Sequence, residues 1–202
     1  MNIIKDVDPI FNTEKYDVIL VGTSTACSLA SGFQGKIIRK YPYVDAANDK
    51  QTYRDNRRLG TRLTLKKEGN PIISLCYISK FNMAKKPTTN YESLENCLAT
   101  ANAEFKGKKV MTTIMGGTKI DGMGDREKCL EIIEANTKDL DIDVYDYEQM
   151  TAQQERRLLY RKLYNEEQEK GIKWIKDEFK VRAEQKFKEN YVQKIRYHYG
   201  DE

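Results

Sequence analysis

A lysine and an aspartate, each placed just after a strand-like segment, are the residues in this sequence whose types and spacing could do chemistry. Lys80 closes the apolar run 71–80, and Asp121 lies in the glycine-rich stretch 115–125. Apolar runs bounded by turn residues predict buried strands of an α/β sheet, and ligands of such sheets bind at the carboxyl ends of the strands. An amine held near a carboxylate can attack an aldehyde-like sugar carbon. We therefore expect Lys80 and Asp121 to meet in one pocket.

The position of Lys80 allows two interpretations. A lysine at the end of a buried strand can lose water, and desolvation favours the neutral, nucleophilic amine. Alternatively, its flexible stem lies along the apolar surface and carries the ammonium group to solvent.

Two stretches rich in small residues resemble anion-binding turns. The first, 22–35, joins a predicted strand to a helix, where backbone N–H groups and the positive end of the helix could hold a phosphate; a tight strand-to-helix turn is the alternative. The second, 116–125, has the same placement. Neither matches a P-loop or a dinucleotide fingerprint, and the second lacks the alternation and glutamate of an EF-hand. Together they predict a diphosphate site made of backbone donors.

The cysteine and histidine content argues against metal chemistry. The four cysteines form no CxxC pair, and His198 is the single histidine, so neither a zinc site nor a Cys/His nucleophile is expected. We expect buried, reduced thiols and no metal or cofactor.

Strand-like and helix-like segments alternate through residues 1–148, which predicts a mixed or parallel sheet covered by helices on both faces. The predicted strands are 16–22, 61–65, 71–78, 109–115 and 142–147, and the predicted helices are 32–41, 91–105 and 125–136. The turn Gly69-Asn70 makes a hairpin of the second and third strands, and Pro42 is expected to end the first helix.

The chain changes character at about residue 149. Apolar residues recur every three or four positions on a charged background at Ile172, Ile175, Phe179, Ala183, Phe187 and Tyr191. This spacing predicts a long amphipathic helical tail over 149–202. Such a stripe needs a partner to cover it, so we expect residues 151–202 to mediate self-association or bind another protein. The interspersed charge signs favour a solvated face over a nucleic-acid patch.

No apolar run approaches the roughly 20 residues that span a bilayer, and the N-terminus lacks the apolar core of a signal peptide. We therefore expect a cytoplasmic protein without membrane contact.

Several short motifs occur in an order that resembles a known family. They are Leu29-Ala-Ser-Gly-Phe33, Ile78-Ser-Lys80, Lys86-Pro-Thr88, Tyr91-Glu-Ser-Leu94, Gly117-Thr-Lys-Ile-Asp-Gly-Met123 and Ile142-Asp-Val-Tyr145. This order resembles the macrodomain family, in particular the branch that contains terminal ADP-ribose protein glycohydrolase and the antitoxins of DNA-ADP-ribosylating toxin–antitoxin pairs. The resemblance implies a macrodomain-like three-layer α/β/α domain over 1–148 with a mixed sheet and an ADP-ribose site, followed by the helical extension.

The resemblance also implies roles for individual residues. Lys80 takes the place of the nucleophilic lysine, and Asp121 that of the aspartate that assists proton transfer. Asp6 lies roughly where the family binds the adenine amino group, and Phe33 could line the distal ribose pocket or be a core aromatic. The remaining expected ligand-binding residues belong to the two loops: Ser31, Gly32, Gly116, Gly117, Thr118 and Gly122. Ala30 and Lys119 depart from family glycines, which puts efficient catalysis in question.

The resemblance implies an ADP-ribosylglycohydrolase that removes mono-ADP-ribose from protein carboxylates or DNA bases. The alternative is a non-catalytic macrodomain scaffold, ADP-ribose-binding or structural, built into a larger assembly such as a virus particle through its C-terminal helix. A third option is phosphatase action on ADP-ribose 1″-phosphate in the same pocket.

Overall fold

The computed structural model describes residues 1–5, 7–26, 29, 32–80, 89–118, 124–147 and 185 of the 202-residue chain. Met1–Gln149 forms one compact unit. The predicted helical tail and its partner lie outside the described residues, apart from Gln185, which is helical and exposed.

A six-stranded mixed sheet forms the middle of this unit. Its strands are β1 (Asn2–Lys5), β2 (Val18–Ser24), β3 (Arg62–Leu65), β4 (Ile72–Ser79), β5 (Lys109–Thr113) and β6 (Asp141–Asp146). Their spatial order is β1-β6-β5-β2-β4-β3. Every neighbouring pair is parallel except β3 and β4, which form the predicted antiparallel hairpin.

Among the described residues, four α-helices flank the sheet: α1 (Gly32–Lys40), α2 (Pro42–Asn48), α3 (Tyr91–Glu104) and α4 (Arg126–Asn136). In the same residues, two short 3-10 helices cover Pro9–Lys15 and Asn56–Arg58. Side-chain caps fix where the longer helices begin, since Asn90 accepts a hydrogen bond from the Ser93 N–H group at 2.9 Å and Asp125 one from the Lys128 N–H group at 2.9 Å. Each cap of this kind stabilises a helix by about 1 kcal/mol.

The apolar residues of the sheet divide between two cores, one on each face. Along β2, Val18 and Leu20 belong to the core that contains α3 and α4 side chains such as Leu98. Ile19 alternates with them and belongs to the second core, which contains Ile37 of α1. Burying each such side chain contributes roughly 1.5–3 kcal/mol. The predicted three-layer α/β/α architecture is confirmed.

The structure adds three details to the sequence prediction, around Pro42, in β6 and at β1. Pro42 does not only end a helix: α1 stops at Lys40, and Pro42 opens α2, because the first helical turn tolerates a residue without an N–H group. The last strand, β6, is buried at four successive positions and does not alternate, because it lies between β1 and β5 with both faces covered. The sequence prediction also missed β1, a short edge strand with three exposed residues.

Cys76, Cys97 and Cys129 are buried, reduced thiols, as predicted; Cys27 lies outside the described residues. In the part of the chain that the structure describes, no helix has the length and apolar character needed to cross a membrane.

Candidate functional site

The carboxyl ends of five strands meet at one edge of the sheet, because β1, β6, β5, β2 and β4 run parallel. Lys80 directly follows β4. The two glycine-rich stretches follow β2 and β5, which are hydrogen-bonded neighbours. All three predicted site segments therefore leave the sheet at this edge, as the sequence indicated.

Lys80 is exposed, whereas Ser79 before it is only 4% exposed. This exposure agrees with the second interpretation, a lysine whose ammonium group reaches solvent, and the nucleophilic role of Lys80 stays a prediction. Asp121 lies outside the described residues, so its proximity to Lys80 stays a prediction.

The segment that begins with Lys80 returns to the point where it left the sheet. Ser79 and Thr89 form an antiparallel bridge, and the Asn90 N–H group donates a hydrogen bond to the Ile78 carbonyl at 2.8 Å. Both ends of 80–88 are thus held at the end of β4.

One carbonyl group, that of Gly116, joins the two ends of the second glycine-rich stretch and connects them to Thr89. The Gly116 oxygen accepts hydrogen bonds from the Thr89 hydroxyl and from the Gly124 N–H group, both at 2.7 Å. The first bond joins the Lys80 segment to the Asp121 segment, and the second closes the Asp121 segment on itself. The segments that contain the two predicted catalytic residues are therefore hydrogen-bonded to each other where they meet the sheet.

Close packing explains why three positions at the ends of the second glycine-rich stretch are glycines. A Cβ atom on Gly116 would lie 2.6 Å from the Thr89 Cγ2 atom, and the Gly116 φ angle is +76°, which favours glycine. A Cβ atom on Gly117 would lie 3.1 Å from the Arg126 Cα atom, and one on Gly124 would lie 2.9 Å from the Gly116 oxygen. Gly116 and Gly117 thus have structural roles, while their predicted contacts to a ligand, and those of half-buried Thr118, stay predictions.

The start of α4 is already capped by the protein. The Asp125 carboxylate accepts from the Lys128 N–H group, and the Asp125 N–H group donates to the Tyr91 hydroxyl at 2.9 Å. Because a carboxylate occupies the positive end of this helix, a phosphate at this edge would take its donors from the loops.

The first loop is anchored at both ends. The Thr25 N–H group donates to the Ser79 carbonyl at 2.9 Å, and the Gln34 side-chain amide donates to the Gly22 carbonyl at 2.5 Å. Gly32 begins α1 with a φ angle of +60°. Phe33 is half-buried against the core on the α1 side, which agrees with its interpretation as a core aromatic. Ser31, Asp6 and Gly122, also predicted to bind ligand, lie outside the described residues.

A charged and aromatic cluster that the sequence did not predict lies at the β1 and β6 end of this edge. Lys36 of α1 forms an ion pair with Asp8, whose segment follows β1, and its ammonium nitrogen lies 4.8 Å from the centroid of the Tyr147 ring, just after β6. Asp8 precedes Pro9 and caps the first 3-10 helix through the Ile10 N–H group. That cap is readable from the sequence, but nothing in the spacing joins the three residues. Thr89 was missed for the same reason.

Among the described residues, no group of three or more histidine, cysteine or carboxylate side chains is placed to hold a metal ion.

The coordinates resemble solved macrodomain structures. The macrodomain of Thermus aquaticus DarG superposes with a TM-score of 0.56 at 11% identity over 72% of this chain and 98% of that one. Thermosipho africanus DarTG in complex with ADP-ribose gives 0.56 at 12% identity, over 72% of this chain and 41% of that one. A Bacteroides thetaiotaomicron protein of unknown function gives 0.59 at 16% identity, over 73% and 99%. No protein-family model and no curated protein matches the sequence. The chain has the macrodomain fold, and the predicted resemblance to the macrodomain family is confirmed at the level of fold, with DarG and DarTG among the similar structures.

Proposed function

We propose that this protein binds ADP-ribose along the carboxyl edge of its sheet and removes mono-ADP-ribose from protein carboxylates or DNA bases. The observation that carries this proposal is the Gly116 carbonyl, which ties the segment that begins with Lys80 to the segment that contains Asp121. Because the two segments are hydrogen-bonded at this carbonyl, the distance between an amine on one and a carboxylate on the other is limited. A structural neighbour from T. africanus holds ADP-ribose, which supports the choice of ligand.

The layout of the edge fits a long ligand with two different ends. From β4 to β1 the edge crosses four strand spacings, or about 19 Å at roughly 4.8 Å each. Lys80 lies at the β4 end, the two glycine-rich loops lie in the middle, and an aromatic ring lies at the other end. This order suits a reactive ribose, a diphosphate and a base.

The chemistry assigned to Lys80 is a nucleophilic substitution at the sugar. The neutral amine would attack the anomeric carbon of the distal ribose, forming a C–N bond while the bond to the linked carboxylate or base breaks and the leaving group takes the electron pair. Asp121 would move the protons, and water would then hydrolyse the lysine–sugar adduct. Since Lys80 is exposed, a bound sugar would have to exclude water from its amine.

Release of ADP-ribose from mono-ADP-ribosylated protein and DNA tests this mechanism. We expect the wild type to release it from one of the two substrates, and Lys80→Ala to lose release while still binding ADP-ribose. Lys108→Ala is the matched control, because Lys108 is also exposed but precedes β5 at the opposite edge. Undiminished release by Lys80→Ala would exclude the lysine mechanism.

The exposure of Lys80 favours a second candidate, a macrodomain that binds ADP-ribose without hydrolysing its linkage. Calorimetry with ADP-ribose and a release assay on the same preparation separate the two. Binding without release from either substrate would support this candidate, whereas the absence of binding heat would contradict both functions.

A further inference from the structure

Lys36, Asp8 and Tyr147 form a compact group at one end of the carboxyl edge, which we call the base-end cluster. The Lys36 side chain is 12% exposed and that of Asp8 is 11% exposed, and the two form an ion pair. The Lys36 ammonium nitrogen also lies 4.8 Å from the Tyr147 ring centroid, within the range of a cation–π interaction. One lysine thus contacts both other members.

The cluster connects three elements that emerge at the same edge. Asp8 lies in the segment after β1, Lys36 in the second turn of α1, and Tyr147 directly after β6. Because α1 follows the loop after β2, its first turns lie near that edge. Charges this poorly exposed are retained only when they are paired, and through its two contacts Lys36 links the segment after β1 to the segment after β6.

The position of the cluster points to one part of the ligand. This step rests on the proposed function, in which the reactive ribose lies at Lys80 and the diphosphate lies on the loops after β2 and β5. The strands left for the other end of the molecule are β6 and β1. An aromatic ring at a strand end is a surface on which a nucleobase can stack, and its orientation then decides how the base is bound.

We propose that Lys36 is a positioning residue for the base of the bound nucleotide. Through Asp8 it fixes the segment that follows β1, and over the ring of Tyr147 it fixes the surface that follows β6. Lys36 itself does not contact the sugar or the phosphates. Its loss therefore lowers discrimination between bases more than it lowers affinity for the shared part of the ligand.

Calorimetric titration with ADP-ribose and with its hypoxanthine counterpart tests this role. We expect the wild type to prefer the adenine ligand, and Lys36→Met to reduce the ratio of the two affinities at least tenfold while the affinity for the hypoxanthine ligand changes less than threefold. Lys40→Met is the matched control. Lys40 lies one turn later on α1 and forms an ion pair with Glu14 at 3.0 Å, so its loss should leave the ratio unchanged.

Removing one partner of a poorly exposed ion pair can unfold a protein, so a double variant completes the experiment. Asp8→Asn with Lys36→Met leaves no unpaired charge and should lose the same discrimination. An equal loss of affinity for both ligands, an unchanged affinity ratio, or a wild type that binds both bases equally well would overturn the role of Lys36. None of these outcomes would contradict the proposed function. A wild type that binds neither ligand would overturn the proposed function, and this inference with it.

Discussion

At Gly116 the backbone conformation and the packing make separate demands on one residue. Its φ angle is +76°, and a side chain there would meet the Cγ2 atom of Thr89 at 2.6 Å. Gly69 has nearly the same φ angle, +72°, but nothing lies within 4 Å of a Cβ atom built on it. Comparing the two glycines therefore separates the free-energy cost of steric overlap from the cost of a left-handed backbone conformation.

Gly116→Ala should destabilise the protein more than Gly69→Ala. The left-handed conformation costs either alanine roughly 1–2 kcal/mol, and overpacking against Thr89 should add about 1–3 kcal/mol at Gly116 alone. Urea unfolding of both variants measures the difference in the free energy of unfolding. Equal losses would show that Thr89 moves aside at no cost.

At the scale of the elements, Thr89 connects the end of β4 to the loop after β5, and we call this pair of hydrogen-bonding contacts the Thr89 joint. Its backbone pairs with Ser79, and its hydroxyl donates to the Gly116 carbonyl. The Gly124 N–H group bonds to the same oxygen, and loss of the Thr89 hydroxyl would remove one donor from that carbonyl. The consequence should appear in catalysis more than in stability.

Thr89→Val keeps the shape of the side chain and removes the hydroxyl. We expect a loss of about 1 kcal/mol in the free energy of unfolding and a fall of about tenfold in the rate of ADP-ribose release, since small misplacements of catalytic groups are costly.

Thr89→Ser, which keeps the hydroxyl, should retain release. Thr100→Val is a matched control, because the Thr100 hydroxyl bonds to the Asn96 and Cys97 carbonyls of α3 and accepts from the Arg62 guanidinium of β3, away from the Lys80 and Asp121 segments. Wild-type release by Thr89→Val would show that the joint does not position the two segments.

At the scale of the whole sheet, a polar network centred on buried Asp143 connects the edge strand β1 to the other strands. The Tyr16 hydroxyl donates to the Asp143 carboxylate at 2.7 Å and lies 2.9 Å from the Tyr145 hydroxyl. The Asn2 side chain donates to the other Asp143 oxygen at 2.9 Å. Burial, followed by the hydrogen bonds with Tyr145 and Asp143, raises the pKa of Tyr16 well above its ordinary value.

This shift predicts how global stability depends on alkaline pH. Below about pH 10, the ordinary pKa of tyrosine, the contribution of Tyr16 is fully present. Above it, the unfolded chain releases the phenol proton while the folded protein keeps it, so stability falls by up to about 1.4 kcal/mol per pH unit. Denaturant unfolding between pH 8 and 11, a range set by that pKa, should show a shallower fall for Tyr16→Phe than for the wild type.

Tyr53→Phe is the comparison variant, because Tyr53 is 57% exposed and does not belong to this network. Parallel curves for Tyr16→Phe and the wild type would contradict the shift.

The sequence alone determined the elements whose signals are local. Alternation and turn residues predicted the hairpin of β3 and β4, the spacing of apolar residues predicted α3 and α4, and short motifs in order predicted the macrodomain fold. Each of these depends on residues close to one another in the chain. β1 and α2 were not predicted, because β1 is only four residues long and mostly exposed and Pro42 signals the end of a helix as readily as its beginning.

Only the tertiary structure decided which residues meet. Thr89 reaches Gly116, and Lys36 reaches Asp8 and Tyr147, across separations in the chain for which no pattern exists. The exposure of Lys80 was also undetermined, because burial of a residue at a strand end depends on what the following segment covers. Local sequence sets the conformation of a segment through its own backbone and side chains, whereas contacts between segments depend on how the sheet orders its strands.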